Sequence, residues 1–144
     1  MPLRAQRTPD PLREHLVEVR RHLMRLHKAL IDSERPEYEQ RTGPISNMQL
    51  LQALLEDPFF AWLRPFSGLI SSIDAALSED EPVTRDQARG FVDQAGALVS
   101  GSAEADENAA RFVQVRQRDP AVLFAQTELH RRIAEALRWL DASA

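Results

Sequence analysis

The 144-residue chain contains no cysteine, which excludes disulfides, thiolate nucleophiles and Cys-ligated zinc or iron-sulfur centres. It also lacks an excess of positive charge: 18 Lys and Arg stand against 22 Asp and Glu, a formal net charge of -4. A general nucleic-acid binder needs a basic surface to neutralise phosphates, so no nucleic-acid partner is expected. Every apolar run is broken by Arg, Asp, Glu or Pro well before the roughly 20 residues that span a bilayer, and no membrane helix is expected. The first ten residues, MPLRAQRTPD, lead into no apolar segment of the signal-peptide kind, so the expected compartment is the cytoplasm. Glycine is scarce, at five residues, and no Gly-rich phosphate loop, G-x-S-x-G elbow or H-E-x-x-H motif is present. No catalytic residue and no cofactor is assigned, and an enzyme is the less favoured class.

What is present is helical pattern. From Leu12 to about Glu34, Leu12, Leu16, Val19, Leu23, Leu26 and Leu30 recur at steps of three and four, a stripe about 80° wide at 100° per residue. Asp10 and Pro11 supply the N-cap and first turn. Pro36 is expected to end this helix, and PEYEQRTGP reads as a loop. Ser46 and Gln49 form a capping box opening a short helix that carries Leu50, Leu51, Leu54 and Leu55. Asp57-Pro58 then starts a long helix striped by Phe59, Leu63, Phe66, Ile70, Ile73 and Leu77, with Pro65 inside it and a kink near 61 to 65. Thr84 and Gln87 repeat the capping box before Ala88, Phe91, Val92, Ala95, Leu98 and Val99, with Gly101 as the C-terminal cap. A weak short helix is expected within 102 to 118, and Asp119-Pro120 opens the last one, striped by Val122, Ala125, Leu129, Ile133, Ala136 and Leu140. The expected fold is all-α: four long amphipathic helices plus one or two short ones in a single bundle over 11-144, after a flexible segment at 1-10.

Charge is segregated along the chain. Residues 1 to 30 carry seven basic and three acidic groups, whereas residues 71 to 110 carry two basic and nine acidic. Lys28 is the only lysine, so anion contacts would use planar guanidinium groups. Basic and acidic helices lying side by side, within one bundle or across a dimer, would account for the pattern.

Candidate sites are few. His15, His22 and His27 share the first helix and His130 lies on the last. Glu18 with His22 has the wrong direction and spacing for repeated carboxylate-histidine ligation, so no metal site is assigned. Asp74 lies at the edge of its stripe, and PFFAWLRP at 58 to 65 gathers aromatics around Arg64. Phe60, Phe124 and Trp139 fall off their stripes and must meet a second surface or stay exposed.

Three segments together resemble a family of small all-helical bacterial proteins of unassigned function: LMRLHKALID at 23 to 32, GPISNMQLLQALLEDPFFAWLRPFSGLISSID at 43 to 74, and QRDPAVLFAQTELHRRIAEAL at 117 to 137. The resemblance implies a helical fold and a bacterial cytoplasmic setting, and it transfers no functional residues.

Three functions follow as expectations. The first is a non-enzymatic interaction module, a homodimer or a binder of another protein, with Phe60, Phe124 and Trp139 at the interface. The second is a small-molecule or anion-binding bundle with a pocket at Trp62, Arg64 and Asp74 and with Arg20 or His27 as further polar anchors. The third is a metal-dependent bundle enzyme using Glu18, His22 and His130.

Overall fold

The computed structural model describes residues 10–100 and 106–142. These are helical, with no strand among them: α1 (Pro11–Thr42), α2 (Asn47–Glu56), a 3-10 segment (Pro58–Leu63), α3 (Arg64–Ser78), α4 (Arg85–Val99), α5 (Glu107–Arg118) and α6 (Pro120–Ala142). Of the segment at 1-10 expected to be flexible, residues 1–9 lie outside the described residues, as does the Gly101 cap, and Asp10 is the N-cap of α1. No described helix is long and apolar enough to cross a membrane.

Directions alternate through the bundle. The start of α1 meets the end of α3, where the Arg13 guanidinium donates to the Leu77 carbonyl at 3.0 Å. It also meets the end of α6, where His15 and Trp139 stack with ring centroids 5.2 Å apart. Arg85 at the start of α4 reaches the Leu140 carbonyl of α6 at 2.5 Å, and the Gln126 amide near the start of α6 donates to Val99 at 2.9 Å. Thus α1 and α4 run one way, α3 and α6 the other. Leu16, Val19, Leu23, Leu26 and Leu30 of α1 are buried against Ile73, Val92, Val99, Leu129 and Ile133.

The helix expected to stop near Glu34 continues through Pro36 to Thr42. Pro36 has no N–H for the Asp32 carbonyl, a local cost that ordinarily breaks a helix. Contacts on both sides of the proline outweigh it. Glu34 is fully buried among charged partners, and one turn later Tyr38 packs 5.0 Å from the Phe60 ring and donates its hydroxyl to Asp57 at 2.8 Å. The helix ends at Gly43, whose φ of 81° suits glycine, with its N–H on the Glu39 carbonyl at 2.8 Å.

The expected long helix from Phe59 to Leu77 is divided. Asp57 caps a 3-10 segment by accepting from the Phe59 N–H at 2.9 Å, and α3 begins only at Arg64. Pro65 therefore lies in the first turn of α3, where its missing N–H leaves no carbonyl unserved within a helix interior. Both capping boxes are formed, Ser46 with Gln49 and Thr84 with Gln87. Asp106 caps α5 by accepting from Ala109 at 2.7 Å.

Candidate interaction surface

A buried carboxylate fixes the ground on which the surface is built. Glu34 is 0% exposed, and an isolated charge there would be prohibitively desolvated. Arg111 of α5 meets it with a two-pronged contact, Nε to Oε2 at 2.8 Å and Nη2 to Oε1 at 2.7 Å. Arg118 adds Nη2 to Oε1 at 3.1 Å, and the Trp62 indole N–H donates to Oε2 at 3.2 Å. α1, the 3-10 segment and α5 are thereby tied at one point. The knot holds Trp62 edge-on to Phe66 at 6.4 Å, and Phe66 packs on Phe112 at 5.9 Å.

Beside this knot, α2 is docked on one side only. At 100° per residue its apolar residues cover an arc of about 220°, from Ala53 through Leu50, Leu54, Leu51 and Leu55 to Met48. Ala53 is buried and Leu50 and Leu54 are half-buried against the core. Met48, Leu51 and Leu55, at i, i+3 and i+7, stand 73%, 53% and 67% exposed. Only Glu56 brings charge to this helix. An exposed apolar stripe on an otherwise uncharged helix is a contact surface by composition.

Arg64 secures the far end of α2. Its Nε donates to the Leu54 carbonyl at 3.2 Å and its Nη2 to the Asp57 carbonyl at 2.9 Å. The last carbonyls of a helix have no donors of their own, and a cation there also meets the negative end of the helix dipole. Arg64 is therefore engaged by backbone and not directed into a ligand pocket.

The next residue, Pro65, begins a trough between α3 and α4. Its main part, about 470 Å³, is lined by Pro65, Gly68, Leu69, Ser72, Gln94, Ala97 and Leu98. It continues past Pro65, Ala97 and Leu98 into a smaller hollow of about 250 Å³ that Trp62 and Phe112 help to line. A side chain placed on Gly68 would meet nothing within 4 Å.

The remaining residues singled out in the sequence are dispersed. Arg20 and Asp74 pair with each other across α1 and α3, with Arg20 Nη2 at 3.2 Å from Asp74 Oδ2. Asp74 thus has its own partner, and Trp62, Arg64 and Asp74 each serve a different contact. His27 is half-buried in α1 and burial lowers its pKa. Phe60, expected at an interface, is fully buried beneath Tyr38 and Phe59 because the 3-10 turn rotates it inward from the helical position assumed for it. Trp139 is half-buried between His15 and Arg85, whose guanidinium lies 5.2 Å from its ring centre. Phe124 is 68% exposed beside the exposed Leu123.

Glu18 approaches His22 at 3.8 Å, whereas His130 turns its Nε2 to the Val99 carbonyl at 3.2 Å. Those three do not form a ligand set, and among the described residues no group of three or more His, Asp or Glu is placed to hold a metal ion. His22 is buried and its pKa is lowered, first by burial and then by Arg132 and Arg25, against the opposing pull of Glu18 and Glu128.

Sequence reasoning passed over Glu34, Arg111 and Arg118. One signal was available: Glu34 lies four residues after Leu30, on the continuation of the buried stripe. No family model, curated protein or solved structure matches the chain.

Proposed function

We propose that the protein is a non-enzymatic interaction module: a compact bundle of four principal helices that acts as a homodimer or on a protein partner through the outer stripe of α2. The exposure of Met48, Leu51 and Leu55 on one side of a helix whose other side is docked carries this reading. Burying three such side chains stabilises an association by roughly 1.5–3 kcal/mol each before the cost of ordering. The setting we propose is a bacterial cytoplasm, on the resemblance of the three segments quoted above. An anion pocket anchored by Arg64 and Asp74 has less support, since both side chains are already engaged.

The test is light scattering over a range of concentrations. The expected mass rises above the 16.3 kDa of one chain as concentration increases. The double variant Leu51→Glu, Leu55→Glu is expected to return it to one chain without loss of helical circular dichroism, because both side chains are on the outside. A mass that stays at one chain for the wild type, or an association untouched by the double variant, overturns the homodimer.

A further inference from the structure

We draw no further inference here: the strongest candidate, the apolar trough between α3 and α4 lined by Pro65, Leu69 and Leu98, carries nothing because nothing in the structure shows what covers it.

Discussion

At Glu34 the chain places a carboxylate where no water reaches it and then supplies four donor contacts, three from guanidinium groups and one from an indole. Removing one member of a fully buried charge cluster costs about 3–5 kcal/mol. Arg111 and Arg118 keep roughly a third of their side chains exposed, so solvent recovers part of the loss. Glu34→Gln is therefore expected to destabilise the fold by about 2–3 kcal/mol, a fall in Tm on the order of 10 °C for a chain of this size. The loss is expected to be non-additive: adding Arg111→Met to Glu34→Gln costs less than Arg111→Met alone, because the guanidinium has already lost its partner. Urea titration of the four proteins measures this, and additive penalties would refute a shared cluster. In the sequence, Glu34 is visible only as a charge on a buried register. Its arginine partners lie 77 and 84 residues away in the chain, beyond the reach of any local pattern.

Among the helices, α2 opens on a cap made by its own sequence and is docked on one side only. Ser46 Oγ accepts from the Gln49 N–H at 3.1 Å and the Gln49 side chain returns the bond to the Ser46 N–H at 2.8 Å. Loss of such a cap costs about 1 kcal/mol, which matters more in a helix of ten residues whose apolar docking is through Leu50, Ala53 and Leu54. Ser46→Ala is expected to speed amide exchange throughout α2 and leave α1 and α6 unchanged, since lightly docked elements open separately from the core. Equal acceleration in all three helices would show α2 to be part of the global unit. Both capping boxes and the starts at Asp10 and Asp57 were legible in the sequence because caps act within four residues. The continuation of α1 past Pro36 and the 3-10 turn before Arg64 were not. In each case a proline suggested the local answer, and distant packing of Tyr38, Phe60 and Trp62 decided the actual one. The exposed stripe was half legible: the leucines of α2 were plain, but the side they present to solvent is fixed by how the 3-10 segment receives them.

For the molecule as a whole, part of the charge segregation is internal complementation. Arg13 and Arg20 of the basic first segment reach Leu77 and Asp74 near the acidic stretch. The same first helix carries two histidines whose pKa values are held below the ordinary 6.5, His27 by burial and His22 by burial together with Arg132 and Arg25. The unfolded chain then binds more protons than the folded one in the window from about 6.5 down to the lowered values, so stability rises with pH across that window. It is complete above the unfolded value and declines as pH falls through it. Asp57, whose carboxyl is held below its usual range by the Phe59 N–H and the Tyr38 hydroxyl, gives a second loss only at lower pH, below about 3.8. Between pH 7 and 5 the histidines should therefore dominate the slope. Unfolding free energies measured by urea at half-unit steps are expected to fall over that range, and to fall less steeply in His22→Gln, His27→Gln. The double variant is less stable at pH 7 because His22 is buried, and the slope is what separates a titration from lost packing. An unchanged slope would assign the acid sensitivity to other groups, whereas a flattened one ties the protonation of α1 to the stability of the bundle that presents α2.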